Sequence, residues 1–366
     1  MEAPLIDGLE KILDGSGQPG LAELREAVHE LLGGPQATGR LLDQQNLKKR
    51  ATRVYRLQFA LSGGIRSLVV KRMEPGIAWL NQLVAIRWLP AVGLGDSGPA
   101  LLGAVADRTG QCVWHVYEDL GDCALDARDP DPERVRAAVG LMVQLHTRFA
   151  GHPLLAECRM YGGDLGIYFY SSNLRDAIRG LEWLQPPAIK LSSAHLALRE
   201  RLLKRLYALL DEQPIRARAL AELGGPETLL HGDLWTTNTF VCPTAHGLQA
   251  RLIDWDHAAV GPASYDLSTF LLRFPSQHRP WILELYRTAA TQAGWRLPGA
   301  KDLNLLFETA EWARYANCLI WPAIALVRER ADWGFDTLAE VERWFEEMQP
   351  VLCEVDETRV GSAVPL

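Results

Sequence analysis

Residues 229–240 read LLHGDLWTTNTF, and within them Asp233 and Asn238 stand at a spacing that phosphoryl transfer would use. Such a loop needs a carboxylate to accept the proton of an attacking hydroxyl. A few residues on, it needs an amide oxygen to ligate Mg2+. The same residue types also make a polar surface turn, so the motif alone is suggestive. A further hard oxygen ligand strengthens it. ARLIDWDHAAVG (250–261) places Asp254 directly after a short apolar strand. A strand, turn and strand between Asp233 and Asp254 would return the chain beside itself and bring both carboxylates to one site. Asp256, two positions on, reads as a solvated or helix-capping acid, with an accessory role at the site as the alternative.

Two other motifs are discounted on context. GLGDSG (93–98) has the G-x-G-x-x-G pattern, but a helix precedes it and Pro99 with a strand follows, the reverse of a dinucleotide site. Asp332-Trp333-Gly334 lies within helical sequence and reads as a loop.

The elements that must position these residues show in the periodicity. RVYRLQFAL (53–61) and RSLVVKRM (66–73) alternate as strands around SGG (62–64), a hairpin. ATGRLLD (37–43), ALLGAV (100–105) and QCVWHVYEDL (111–120) read as further strands. GLAELREAVHELLG (20–33) has helical spacing, as does IAWLNQLVAIRWL (77–89), with Ile77, Leu80, Val84 and Trp88 on one face. From about 131 the pattern is mostly helical, interrupted by short strands over 229–256. The fold class expected is α+β, with a small antiparallel β-rich lobe over 1–118 and a larger helical lobe over 119–366. A chain of 366 residues is long enough for two such bodies.

Composition narrows the partners. A net charge of −7 argues against nucleic acid. CLIWPAIALV (318–327) is too short to span a bilayer and contains Pro322, so no membrane partner is expected. The N-terminus MEAPLIDGLEKIL lacks a basic region followed by an apolar run, so no signal peptide is expected. Cys112, Cys123, Cys158, Cys242, Cys318 and Cys353 form no C-x-x-C pair, which fits reduced thiols and a cytoplasmic location.

HGDLWTTN followed by LIDWDHAAVGPASYDLS resembles the aminoglycoside phosphotransferase and choline kinase family. The resemblance spans about 37–350 and is specific over 229–270. It implies a protein-kinase-like two-lobed fold that phosphorylates hydroxyls of small molecules with ATP, or GTP, and Mg2+. By the same resemblance Asp233 is the catalytic base, and Asn238 and Asp254 bind Mg2+. His231 braces the loop, and Asp266 anchors it from within the helical lobe. Lys71 ends an apolar strand as the V-A-I-K type of nucleotide lysine does.

The pattern departs from the family in two places. The usual helix Glu that pairs with the lysine is missing; residues 75–110 contain no Glu, and Ile86 occupies its place. Asn81 or Gln82 would offer the lysine a hydrogen bond without charge. The loop LKKRATRVY lacks glycines that let backbone amides approach phosphates. Arg50, Thr52 and Arg53, with Lys48 and Lys49, either compensate with charge or form a solvated basic turn. WHVYEDLGD (114–122) reads as the hinge, where backbone near Glu118 and Leu120 would meet the base.

The acceptor that the resemblance implies is a small hydroxyl compound. An acidic tract with interleaved aromatics, Asp332 to Glu357, would suit a cationic amino sugar or amino alcohol. Leu338, Val341, Phe345 and Met348 also make it an ordinary amphipathic helix with a solvated acidic face. Glu308, Glu311, Trp312 and Tyr315 form another candidate wall. The expected activity is phosphorylation of an aminoglycoside-like antibiotic, a sugar or a choline-like amino alcohol, by a monomer or homodimer. The rival from another class is a nucleotide-binding pseudokinase or regulatory protein. A protein kinase is disfavoured by the lack of an activation segment between Asp254 and YDLS.

Overall fold

In VYRLQFAL and SLVVKRM alternate residues are apolar, and a strand sends alternate side chains to opposite faces. The computed structural model describes residues 6–34, 37–47, 53–185, 189 and 191–352. Chain contacts divide it into two units, the first formed by Met1–Leu125 and Thr237–Ala258. In that unit the chain forms β1 (Ile6–Asp7), α1 (Leu21–Leu31), β2 (Gly39–Asn46), β3 (Val54–Leu61) and β4 (Gly64–Met73). Then come α2 (Pro75–Leu83), α3 (Leu89–Ala91), β5 (Leu101–Ala106) and β6 (Val113–Glu118). The strands make one sheet in the order β1-β2-β3-β4-β6-β5, with only β1 and β2 parallel among the described pairs.

The phase of β4 decides which side chains meet. Leu68 and Val70 are buried with Leu57, Phe59, Trp114 and Val116, under Leu24 and Val28 of α1. Lys71 therefore belongs to the opposite face, in register between Val54 of β3 and His115 of β6. A slip of one residue would send the lysine into the core. The N-terminal segment, read from sequence only for what it lacked, is built into this unit: Ile6 and Ile12 are fully buried in the same cluster.

Between α2 and α3 lies a π-helical turn, Val84–Trp88. Leu80, Val84 and Trp88 are buried, as the sequence spacing predicts, while Ile86 is 58% exposed.

The second unit comprises Asp126–Thr236 and Ala259–Leu366. It begins with α4 (Pro132–Phe149), where Asp131 accepts from the amides of Glu133 and Arg134 and Pro132 sits in the first turn. It continues through α5 (Leu155–Gly162), α6 (Ile167–Glu182), α7 (Ser193–Asp211), α8 (Gln213–Leu223) and β7 (Glu227–Leu230). The chain then contributes β8 (Thr239–Thr244) and β9 (Gly247–Leu252) to the first unit. It returns as β10 (Ala259–Pro262), antiparallel to β7, and α9 (Ser264–Arg273). Last come α10 (Arg279–Gln292), α11 (Ala300–Arg328) and α12 (Trp333–Glu347).

The main core of this unit joins α6, α7, α11 and α12 through residues such as Leu174, Leu202, Leu319 and Val341. α12 meets α11 at Gly334, where an added Cβ would lie 2.5 Å from Leu326 Cγ and 2.9 Å from the Pro322 carbonyl. Among the described residues no helix is long and apolar enough to cross a membrane. Cys112, Cys123, Cys158, Cys242 and Cys318 are free thiols.

Candidate active site

β8 and β9 form a tight hairpin in which Thr239 pairs with Leu252 and Thr244 with Gly247. Its open end brings Asn238 against Ile253, whose amide donates to the Asn238 carbonyl at 3.0 Å. Asp254 follows at once. Antiparallel pairing alone thus places the two oxygen donors of the sequence motif side by side. Asn238 is buried at the end of a 3-10 turn. Asp254 has φ 68°, in the left-handed region that few non-glycine residues enter and that Asp tolerates.

Lys71 Nζ lies 2.5 Å from Asp254 Oδ1 and 2.5 Å from Asp256 Oδ1. The same Asp256 oxygen accepts from Asn81 Nδ2 at 2.9 Å, and that amide also donates to the Ile77 carbonyl at 2.9 Å, one turn back in α2. Of the two readings of Asp256, these contacts fit the accessory and not the solvated or capping acid. Its carboxylate is mostly covered and holds both the ammonium and a buried amide. Asn81 reaches Asp256 rather than the lysine. The position where the helix Glu was expected, Ile86, faces solvent from the π turn.

His115 is fully buried beside the lysine, its Nδ1 2.8 Å from the Tyr117 hydroxyl. Burial, reinforced by the Lys71 charge, pushes its imidazole down to about 4. The ring is therefore neutral near pH 7 and adds no cation next to the ammonium. Burial, with the charges of Asp256 and Asp254 behind it, raises the Tyr117 phenol.

One ammonium facing two carboxylates leaves a net negative charge in this cluster. Among the described residues no group of three or more His, Cys, Asp or Glu side chains could hold a metal ion unaided. The amide of Asn238 and the carboxylate of Asp254 are hard oxygen donors. Two such donors fit Mg2+, which keeps waters and shares phosphate oxygens instead of filling an all-protein cage.

In the second unit, β7 ends at Leu230, paired with Ala259 of β10, and opens into the HGDLW loop. Asp266 on α9 is fully buried and accepts from the amides of His231 at 2.7 Å and Gly232 at 2.9 Å. His146 of α4 approaches the same carboxylate at 3.4 Å and holds the Tyr286 hydroxyl at 2.8 Å on its other nitrogen. Burial would push the Asp266 carboxyl up, but His146 and then His231 hold it below the usual range. Gly232 has φ 82°, so the loop turns where glycine is at no disadvantage. The Asp233 amide donates to His231 Nδ1 at 3.3 Å, and the Trp235 amide to the Asp233 carbonyl at 2.8 Å. Asp233 itself is half-buried.

α9 ends at Arg273, whose guanidinium carbon lies 4.2 Å from the centre of the Trp235 ring. Arg314 of α11 stacks on Tyr265 at 3.9 Å, donates to the Tyr265 carbonyl at 2.8 Å and pairs with Glu311. Glu311 is 2% exposed and also accepts from the Ser268 hydroxyl at 2.9 Å.

Of the four residues read as one acidic and aromatic wall, the acids turn to arginines, while Trp312 and Tyr315 stay together, ring centres 5.8 Å apart, and share Phe345. Glu311 is committed to Arg314. Trp312 stacks on Phe345 within the core, ring centres 5.4 Å apart. Glu308 lies 3.9 Å from the buried Arg216, and burial raises its carboxyl. The Tyr315 hydroxyl reaches Met348 sulfur at 3.7 Å. Of the acidic tract, Leu338, Val341 and Phe345 are buried, and Glu342 forms a paired contact with Arg201 at 2.7 and 2.8 Å.

Arg50 and Thr52 lie outside the described residues, as do Lys48 and Lys49. Arg53 is exposed, its carbonyl accepting from the Arg72 amide at 2.8 Å. Glu118 pairs with Arg251 and accepts from the Ala100 amide at 2.9 Å. The Leu120 carbonyl accepts from the Cys242 thiol at 3.8 Å. Sequence reasoning passed over His115, His146 and Arg273. The first two carry no motif of their own, whereas Arg273 ends the helix that begins at SYDLS, so a walk along that helix from Asp266 would have reached it.

A family model described as the phosphotransferase enzyme family matches residues 47–300. No curated protein matches the chain. Among solved structures the chain is similar to the GDP complex of wild-type aminoglycoside 2'-phosphotransferase-IIIa, at 17% identity and TM-score 0.53, covering 83% of this chain and 93% of that one. It is similar to a spectinomycin phosphotransferase in complex with ADP and spectinomycin, at 14% identity and TM-score 0.52, covering 84% and 93%. A choline kinase from Streptococcus pneumoniae is similar at 14% identity and TM-score 0.51, covering 89% and 99%. At these identities the likeness is one of fold. The fold is protein-kinase-like, with a curled sheet in the N-terminal part and a mainly helical C-terminal part.

Proposed function

The chain belongs to the phosphotransferase enzyme family, and from that premise we propose that it transfers the γ-phosphoryl group of ATP or GTP to a hydroxyl of a small molecule. The observation that carries this reading is the closure of the β8–β9 hairpin, which sets Asn238 beside Ile253 and Asp254, with Lys71 against Asp254. Asp233 accepts the hydroxyl proton as the acceptor oxygen forms its bond to phosphorus. The bond from phosphorus to the bridging oxygen breaks, and the nucleoside diphosphate leaves. Lys71 steadies the phosphates of the nucleotide, and Asn238 and Asp254 hold Mg2+. When bound, that ion neutralises charge on the phosphates during transfer.

Asp256 takes the part of the absent helix Glu: it gives Lys71 a carboxylate that does not depend on Asp254, and Asn81 fixes its direction. Asp266 and His146 act behind the loop, holding its backbone so that Asp233 keeps one orientation.

Asp233→Asn should lower kcat by roughly 10²–10⁴-fold, the usual worth of a general base. Nucleotide binding, read by thermal shift with ADP and Mg2+, should persist. Full turnover in this variant would end the assignment. A nucleotide-binding protein without turnover is the second reading, motivated by the glycine-poor segment LKKRATRVY. Intact ADP binding with no phosphorylation across a broad panel of hydroxyl compounds would favour it.

A further inference from the structure

Three of the carboxylates expected to receive a cationic acceptor already face arginines. Glu311 is buried against Arg314 and Ser268, Glu308 faces Arg216, and Glu342 is held by Arg201. What remains beside the HGDLW loop within the second unit is a cation. Arg273 is half-buried, makes no ion pair and donates no side-chain hydrogen bond among the described residues, and its Nε is buried without an acceptor. Burial lowers its basicity, and although Glu311 and Asp233 oppose this, Arg314 adds to it.

An arginine taken partly out of water normally meets a carboxylate or a set of carbonyls, because its desolvation is otherwise uncompensated. Here it meets the flat face of Trp235. Stacking holds a guanidinium in one plane and leaves its N–H edge free, the arrangement that suits a planar oxyanion. Trp235 is 40% exposed, so the platform is open to solvent. Its amide closes the turn onto the Asp233 carbonyl, which ties the platform to the proposed base. The same helix that carries Asp266 carries Arg273 at its far end. The cation and the loop are therefore positioned by one rigid element.

We infer that Arg273, stacked on Trp235, is a recognition residue for a carboxylate on the acceptor, so that the compound phosphorylated is a hydroxy acid and not a cationic amino sugar or amino alcohol. This rests on the kinase reading above and names its substrate class. A second oxyanion could compete for the same guanidinium, the terminal phosphate of the nucleotide. The acceptor is the assignment made, because the Trp235 on which Arg273 stacks closes its turn onto the carbonyl of Asp233, the proposed base for the acceptor hydroxyl.

The test uses the full chain and matched acceptors: glycerate against glycerol, glucuronate against glucose and glucuronamide, and homoserine against ethanolamine and kanamycin. Phosphorylation is followed with ATP and Mg2+, and binding is followed separately by thermal shift without nucleotide. The wild type should prefer at least one acid over its uncharged partner by 10-fold or more in kcat/KM. Arg273→Gln should erase that preference by raising KM for the acid while leaving KM for ATP within twofold. Arg273→Lys, which keeps the charge but loses the planar edge, should recover part of it.

Preference for kanamycin, ethanolamine or the neutral partners would overturn the assignment. So would an Arg273→Gln variant that raises KM for ATP and lowers kcat alike for acids and neutral compounds, which would give the guanidinium to the nucleotide. Were nothing phosphorylated, the kinase reading would fail separately and binding would decide. Stabilisation of the wild type but not of Arg273→Gln by an acid supports carboxylate recognition, and stabilisation of neither overturns it. A melting temperature for Arg273→Lys equal to that of the wild type shows that the site, not the fold, is being read.

Discussion

Lys71 stands between two carboxylates that approach it from a single short segment, Asp254 and Asp256, two positions apart. If Asp254 turns to a metal ion, as proposed, Asp256 is the anion left for the lysine. A charge-assisted hydrogen bond of this kind contributes about 1.5–3 kcal/mol. Asp256→Asn should accordingly raise KM for the nucleotide by roughly 10-fold or more, with a smaller change in kcat. Asp256→Glu should recover part of the loss, and steady-state kinetics with varied ATP would read both. An Asp256→Asn variant with wild-type KM would return the residue to an ordinary surface acid. The logic extends to Asn81, whose amide has one hand on Asp256 and the other on the Ile77 carbonyl.

Secondary structure places these residues through a few tight contacts. The β8–β9 hairpin aligns Asn238 with Ile253 through backbone pairing, and β4 presents Lys71 opposite its core-facing neighbours. In the helical unit, Gly334 lets α12 lie against α11 beside the Pro322 carbonyl, 2.9 Å from where a Cβ would stand. A methyl group there would meet Leu326 at 2.5 Å, closer than packed carbon atoms can stand. Gly334→Ala should therefore cost about 1–3 kcal/mol, the range for overpacking a filled contact. A lower urea midpoint with an unchanged slope would show it. An unchanged midpoint would mean that α12 can shift at no cost.

Considered as a whole, each unit carries its own buried cluster, and the fully buried His115 ties the stability of the sheet-bearing unit to pH. Its imidazole is held down to about 4 from an ordinary value of 6.5. Above pH 6.5 it is neutral in both folded and unfolded chains, and its contribution is fully present. As pH falls from 6.5 towards 4 the unfolded chain takes up a proton that the folded chain refuses, and stability declines. The loss from this group is roughly 3 kcal/mol at its limit, at 1.36 kcal/mol per pH unit. Denaturation at a series of pH values should show this slope above the range where carboxylates titrate. His115→Gln should flatten it, and an equal slope in that variant would assign the effect elsewhere.

The phosphotransferase family and the strands were legible because both are written locally. HGDLWTTN and LIDWDH are short stretches whose residue types and spacing constrain what a loop can bind, and alternation in VYRLQFAL and SLVVKRM sets strand phase without reference to any distant segment. Helical spacing likewise foretold the inward face of Leu80, Val84 and Trp88. The pairing of charges was not legible. Lys71 and Asp256 are 185 positions apart, and nothing in their types ranks Asp256 above any other acid. Glu308, Glu311, Trp312 and Tyr315 share a helical spacing that reads as one wall, yet Arg216 and Arg314 draw off the two acids while Phe345 of α12 packs against the two aromatics. What Arg273 meets was silent for the same reason. Its place at the end of the Asp266 helix points to the residue, but that it meets the face of Trp235 and no carboxylate shows only in the folded chain. Sequence determined which groups are available and how each strand or helix presents them; tertiary packing decided which opposite charges meet, because burial makes those choices exclusive.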